Sequence, residues 1–417
     1  MAQLTDDCFA FGGALMRIED AVALIGERLP ILAGTEWLPL GLADGRVAAE
    51  PVLALHDVPP FPNSAVDGYA IRHGDLSLEG ETRLPVRGRL PAGTAAEGIS
   101  GVGVAIRIFT GAPMPPGADT VFMQEDVRRE GDVVVLPPGL KRGANARDAG
   151  EDIARGACAI PAGRRLRPQD LALAAACGHD RIAVRTRLRV ALFSTGDELT
   201  EPGAPLPSGA IHDSNRVMLA TLLARLGAEV ADFGILRDEP DALAARLRQA
   251  ARDHDLILTS GGVSTGEEDH VKAAVEAVGA LMFWRLAIKP GRPVAMGVVD
   301  GTPFVGLPGN PGAVYVTLLF VVRPLLARLG GANDVAPLGQ PVRAAFAYRK
   351  KAGRREFVRV SVALGPDAVL EAVKYPREGA GVLSSLTESD GLVELDETVT
   401  AVAAGDILTF YPHAVLW

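Results

Sequence analysis

The 417-residue chain has few aromatic residues, 5 % of the total, and three cysteines, Cys8, Cys158 and Cys177, none in a Cys-x-x-Cys pair. Three widely spaced cysteines exclude a disulfide framework and a zinc knuckle, and they fit a reducing cytoplasm. Basic residues are in the minority. The net charge of −9 argues against nucleic acid as the main partner, because a phosphate footprint is basic. Arginines nonetheless crowd between Arg142 and Arg189, which reads either as a solvated face or as a local basic cleft. The longest apolar run, 314–322, is far short of the ~20 residues of a membrane helix. Asp6 and Asp7 precede any apolar run, which is wrong for a signal peptide. The expectation is a soluble, cytoplasmic protein with neither a membrane nor a nucleic-acid partner.

Familiar catalytic signatures are missing too. The chain has no GxxxxGK[ST] or HExxH, and Gly101-Val102-Gly103 does not continue to a third glycine. The histidines (His56, His73, His179, His212, His254, His270 and His413) are scattered, with no metal-ligand spacing. Without a histidine base, covalent catalysis is disfavoured. Metal-assisted transfer between bound anions fits better.

What is present is a chain long enough for two to four domains at ~150 residues each. Residues 14–32 place Ile18, Val22 and Ile25 on one helical face, and Pro30 limits that helix. From about Glu50 to Asn145 short β-type runs alternate with Gly and Pro. Residues 165–178 return to helix, with Pro168 in the first turn and Gly178 as the stop. Packing of this helix with the first would make the β-rich stretch an insertion between two halves of one domain. Residues 188–330 alternate strand and helix, which predicts a parallel sheet covered on both faces. Asp300-Gly301, between runs 294–299 and 302–307, is a two-residue hairpin signal. After Gly330-Gly331 the pattern is β again.

The most informative stretch is 256–268, LILTSGGVSTGEE. A short apolar strand runs into Ser260-Gly261-Gly262, and Glu267, Glu268 and Asp269 follow. Adjacent glycines let backbone N–H groups approach a ligand, and the next helix directs its positive dipole end there. Acids beside such a turn suit a divalent metal bridging to phosphate. In open α/β sheets, ligands bind outside the carboxyl ends of the strands. Four polar loops fall at such ends: Ser194-Thr195-Gly196-Asp197-Glu198, Arg237-Asp238, Ser260-Gly261-Gly262-Val263-Ser264 and Pro308-Gly309-Asn310-Pro311-Gly312.

Each also has a plainer reading. Asp238 with Asp241 resembles a helix N-cap pair, and Thr265 with Glu268 a capping box. Asp269 sits where a helix dipole stabilises a carboxylate. Pro311 suits the first position of a helix. Lys289-Pro290-Gly291, with Arg285 four residues upstream, is either an anion site or a solvated edge. In the β-rich region Asp67 and Tyr69 lie in an apolar setting, and Thr110 stands at a strand end.

These segments closely resemble the molybdopterin molybdenumtransferases, the MoeA family that includes the gephyrin E domain. The matching motifs are PPFPNSAVDGYA (59–70), RIFTGAP (107–113), GANARDAGEDI (143–153), FSTGDEL (193–199), SGGVSTGEEDH (260–270), WRLAIKPGRP (284–293) and GLPGNP (306–311). Seven matches in the family's order are far more specific than any one motif.

The resemblance implies a multidomain α/β plus β architecture. It comprises a helical linking domain (1–55 and 146–187), an inserted β-rich domain (56–145), a MogA-like α/β molybdopterin-binding domain (188–330) and a C-terminal β domain (331–417). It implies a homodimer whose cleft combines the α/β and C-terminal domains of one subunit with the inserted domain of the other. The implied reaction inserts molybdate into adenylylated molybdopterin, hydrolyses the phosphoanhydride and releases AMP, with Mg2+. Asp67 and Thr110 would come from the partner's inserted domain. Glu198, Asp238 and Asp269 would be the acids of the α/β site, and Asp238, Asp269 and Asp152 the metal ligands. Ser194, Thr195, Gly196, Ser260, Gly261, Gly262, Gly309 and Asn310 would hold the pterin nucleotide. Arg285 and Lys289 would neutralise phosphate or molybdate, Pro290 would also bind substrate, and Arg359 with Ser384 or Ser385 would contact molybdate.

Two positions depart from the family pattern. Arg285 replaces a frequent Lys, and a planar fork is not a point charge; Ala313 replaces a frequent Ser. The implied partners are a molybdopterin adenylyltransferase and apo-molybdoenzymes or their chaperones. Two rival readings remain: an adenylyltransferase, which would consist of the α/β domain alone, and a gephyrin-like scaffold.

Overall fold

A computed structural model describes residues 15–237, 239–261, 270–333 and 336–416. Asp238, Gly262, Asp269 and Cys8 therefore lie outside the described residues, as does the capping pair Thr265 and Glu268.

The centre is a six-stranded sheet in the order Glu229–Leu236, Arg189–Thr195, Leu256–Ser260, Thr302–Leu307, Pro293–Val299, Gly279–Arg285. Alternation along the strands sends residues to opposite faces. Val190, Leu192, Leu256 and Leu258 pack with Leu219, Leu222 and Leu223 of the Ser214–Arg225 helix and with the helix that begins at Pro311. Ala191, Phe193 and Ile257 face Leu243, Leu247, Val271 and Val275 on the Pro240–Asp253 and His270–Val278 helices. Both faces are covered, as expected.

The sheet is mixed rather than wholly parallel. Its first four strands are parallel, but Pro293–Val299 runs against them. The reason is the tight turn: Asp300 and Gly301 have φ of 45° and 90°, the geometry that joins antiparallel neighbours. The outermost strand, Gly279–Arg285, has no counterpart in the sequence reading. It pairs antiparallel with Pro293–Val299, and a Cβ on Gly279 would lie 1.8 Å from the Val298 carbonyl oxygen.

Pro311–Thr317, the wider-wound Leu318–Val322 and Arg323–Leu329 form one continuous apolar helix. It is long and apolar enough to cross a membrane, yet 89 % of its most apolar stretch is buried within the fold, as in a core helix. The Ile18–Arg28 helix buries Ile18, Ala21 and Ile25 against this core. It does not pack on the Pro168–Ala176 helix, contrary to expectation. That second helix turns Ala174 toward Ala43, Val52, Ile160 and Ile182, a separate apolar cluster that occupies its only buried side.

The linking unit is closed mainly by strands. Thr35–Pro39 pairs antiparallel with Arg181–Arg185, and Val52–Leu53 with Cys158–Ile160. Between these halves runs a six-stranded sheet with Gly68–Ile71, Ala105–Ile108 and Thr120–Met123 at one side and Thr82–Leu90, Val133–Leu136 and Arg128–Glu130 at the other.

At the C-terminal end, Arg355–Leu364, Leu370–Lys374, Gln340–Ala344, Ile407–Pro412 and Gly391–Leu395 pair in succession, and the last pairs back to the first. That closes a barrel and removes its edges. Ile288–Lys289, which leaves the central sheet, adds to the barrel beside Arg355 and Glu356. Lys289 is thereby carried from one domain to the wall of the other.

Candidate active site

Three parallel strands end together. Register pairs Ser194 with Ser260 and Ser260 with Leu307, so the loops after Thr195, Ser260 and Leu307 emerge side by side. Gly261, at φ 88°, donates its N–H to the Leu307 carbonyl at 3.1 Å. A Cβ there would stand 2.5 Å from the Thr195 carbonyl oxygen, so any side chain would force the strand ends apart. The hydroxyls of Ser194, Thr195 and Thr259 are buried without hydrogen-bond partners among the described residues. Buried polar groups are normally paired, so these hydroxyls have bonding capacity that a ligand could use.

Asn215, missed by the sequence reading, ties these loops together. Its side-chain nitrogen donates to Ser260 Oγ at 3.0 Å and to the Gly309 carbonyl at 2.7 Å. The next residue, Arg216, anchors the start of that helix. Its buried guanidinium meets Asp213, Asp232 and Glu201, and Asp213 caps the helix by accepting from the Arg216 N–H at 3.1 Å. Burial opposes the Arg216 charge, but the three carboxylates outweigh it and hold its pKa above the ordinary arginine value. An Asp at the N-cap just before a helix was the available signal.

Glu198 is exposed and folds back over Gly196, so that a Cβ on Gly196 would lie 2.5 Å from its carboxylate. Arg237 donates to the Asp197 carbonyl at 3.1 Å, which joins two of the four loops. Asn310 caps the helix at Pro311, its carbonyl accepting from Ala313 and Val314 at 2.9 Å each.

The same loop touches the barrel, since Gly312 donates to the Ala380 carbonyl at 2.8 Å. Beside that contact lies a cavity of about 150 Å3, lined by Lys289, Pro290, Arg359, Lys374 and Arg377 with Glu356 and Glu378. Lys289 donates to Glu356 at 3.1 Å, and Glu356 also accepts from the Tyr348 hydroxyl at 2.9 Å. Burial opposes the Lys289 charge, yet Glu356 and Tyr348 hold its pKa above the usual lysine range. Lys374 pairs with Glu378 at 2.6 Å. Arg359 donates to the Gly379 carbonyl at 3.1 Å, while its Nε is buried without a partner among the described residues. Burial depresses its pKa, although a guanidinium stays charged. A buried guanidinium with an unfilled Nε is suited to receiving an anion.

Of the two candidate serines, Ser384 accepts from Arg377 at 3.0 Å at the edge of this cavity. Ser385 is buried and donates to the Val382 carbonyl at 2.5 Å, which commits it to its own turn. Arg285 ends the outer strand opposite Pro293 and is not among the cavity's lining residues.

Asp67 and Thr110 form a third element. Thr110 donates to one Asp67 oxygen through both its N–H and its hydroxyl, each at 2.8 Å. These bonds, with nearby Arg107, hold the Asp67 carboxyl below the usual range. Among the described residues neither is bonded to the strand-end loops or to the cavity. Asp152 is exposed in the turn where its N–H meets the Val58 carbonyl at 3.0 Å. Among the described residues no three His, Cys, Asp or Glu side chains gather as a metal group, so the described donors alone do not fit a Mg2+ ion.

Residues 16–178 match the MoeA N-terminal region (domain I and II), 191–328 a probable molybdopterin binding domain, and 341–413 the MoeA C-terminal region (domain IV). Fold and site together define an enzyme of molybdenum cofactor biosynthesis. The chain is 36 % identical to a molybdopterin molybdenumtransferase of Haemophilus influenzae over 95 % of its length and 98 % of the relative's. It is 35 % identical to one from Nostoc, over 94 % and 92 % respectively. A crystal structure of the molybdopterin biosynthesis MoeA protein from Pyrococcus horikoshii superposes with a TM-score of 0.81 at 29 % identity, over 96 % of this chain and 100 % of that one. The chain belongs to the molybdopterin molybdenumtransferase family.

Proposed function

We propose that the enzyme takes adenylylated molybdopterin and molybdate, transfers molybdenum to the pterin dithiolene and releases AMP. The observation that carries this reading is the contact between Gly312 of the Pro308–Gly312 loop and the barrel at Ala380. It sets a cradle of buried, ligand-seeking hydroxyls beside a cationic cavity, as two anions that must react together would require. Carboxylates alone would repel both, so the cations and backbone donors do the gathering. In this reading Ser194, Thr195, Gly261 and Asn310 orient the pterin nucleotide, while Lys289, Arg359, Arg377 and Ser384 hold molybdate. Binding both in fixed geometry supplies most of the rate advantage.

Asp67, kept ionised by Thr110 and Arg107, is suited to orienting water toward the phosphoanhydride. The proposal places it in the site from the partner subunit of a cytoplasmic homodimer, with Asp152 nearby and Glu198 on the nucleotide side. A Mg2+ requirement at Asp238, Asp269 and Asp152 belongs to the same reading, rests on the motif resemblance alone, and is tested by chelation. An adenylyltransferase limited to the α/β domain would have no use for the barrel cavity. A scaffold would have no use for the unpartnered hydroxyls. The test is AMP release from adenylylated molybdopterin as molybdate is varied.

A further inference from the structure

A second cavity, of about 190 Å3, opens at the other end of the central sheet. Its walls include Leu188, just before the Arg189–Thr195 strand, and Gly227 and Ala228 at the start of Glu229–Leu236. It thus lies at the amino ends of strands whose carboxyl ends carry the candidate active site. The linking unit contributes Arg46, Arg165 and Arg185; the α/β body contributes Arg225 and Arg323, and Arg187 stands at the junction. No Asp or Glu is among the described lining residues.

We propose that this cavity is a separate oxyanion site, for inorganic phosphate or diphosphate, and that the bound anion clamps the linking unit to the α/β body. Bringing the Arg185 and Arg187 guanidinium groups to one cavity costs Coulombic repulsion unless anions offset it. Arg46 has the Glu36 carboxylate, but the described bonds of Arg185 and Arg187 lead to neutral carbonyls. Arg185 reaches Ala33 at 3.5 Å, and Arg187 reaches Gly227 at 3.3 Å. Arg185 Nε is buried with no hydrogen-bond partner among the described residues. The carboxyl end of the Ser214–Arg225 helix arrives here, and its dipole offers only about half a negative charge. The cavity is below the ~300–1,000 Å3 of drug-sized ligand sites, so it suits a compact anion. Guanidinium forks match phosphate oxygens two at a time.

Thermal unfolding and calorimetric titration of the full chain with phosphate and diphosphate, against chloride at equal ionic strength, test this. Diphosphate is expected to raise Tm, and R187Q and R225Q, both at exposed arginines on different elements, to weaken its binding at least tenfold. R359Q, which disables the barrel cavity, must leave that binding intact. The proposal is overturned if chloride gives the same shift, if R187Q and R225Q bind as the wild type does, or if R359Q alone abolishes binding. It is also overturned if either arginine variant is less stable without anion while wild type ignores diphosphate, since the arginines would then serve only the helix end. Because R359Q separates the two cavities, failure here leaves the transferase reading standing.

Discussion

Asn215 reaches the Gly309 carbonyl at 2.7 Å and so fixes a loop belonging to a different strand–helix unit. The same nitrogen holds Ser260, making one amide the tie between two ligand-facing turns. Replacing Asn215 with alanine removes both bonds. The expected cost is about 1–2 kcal/mol in denaturant unfolding, together with a rise in KM for the pterin nucleotide on the order of tenfold. An unchanged KM would reduce Asn215 to a structural role.

Asp67 depends on Thr110 for its low pKa. Because that pKa is depressed, the carboxylate stays ionised as pH falls, down to below the ordinary value of ~3.9. The T110V variant keeps the backbone donor and loses the hydroxyl, so the pKa should move back up. The acid limb of the pH–activity profile is predicted to shift to higher pH in T110V, and activity to be lost in D67N. Identical profiles for wild type and T110V would break the link.

Arg355 sits almost buried among Glu19 at 2.6 Å, Glu397 at 3.1 Å and Glu394 at 3.2 Å. It joins the first helix to the barrel. Removing one partner of a buried ion group leaves uncompensated charge, and R355A should cost about 3 kcal/mol in urea unfolding. A loss below about 0.5 kcal/mol would class the group with surface pairs.

His413 is held by the Tyr315 hydroxyl at 2.6 Å and by Ser389 at 3.2 Å. Burial lowers its pKa, against the pull of Asp390. The unfolded chain therefore binds a proton more readily than the folded one. The stability contribution is present above the unfolded pKa of ~6.5 and is lost as pH falls from there through the lowered folded value. Unfolding measured across pH 5–7.5 should show this slope, and H413Q should flatten it.

Much of this was legible in the chain. The Asp300-Gly301 hairpin, the four strand-end loops and the β pattern of the barrel follow from turn chemistry and periodicity. The Gly279–Arg285 strand was not, since it follows a helix directly and its glycine is explained only by the close approach of Val298. Asn215 passed as an ordinary first-turn residue, because nothing local shows that Ser260 and Gly309 lie within its reach. Ser384 and Ser385 are equivalent in sequence and differ only in which carbonyl or guanidinium they meet. The arginine cavity draws on residues from Arg46 to Arg323, so the crowding between Arg142 and Arg189 revealed only part of it.

The most direct measurement follows AMP released from adenylylated molybdopterin by the purified chain as molybdate is titrated with Mg2+ present. The account predicts release that saturates with molybdate and yields cofactor able to activate an apo-molybdoenzyme, with both lost together in R359Q. Tight binding of the pterin nucleotide with no AMP release at any molybdate or tungstate concentration would contradict it.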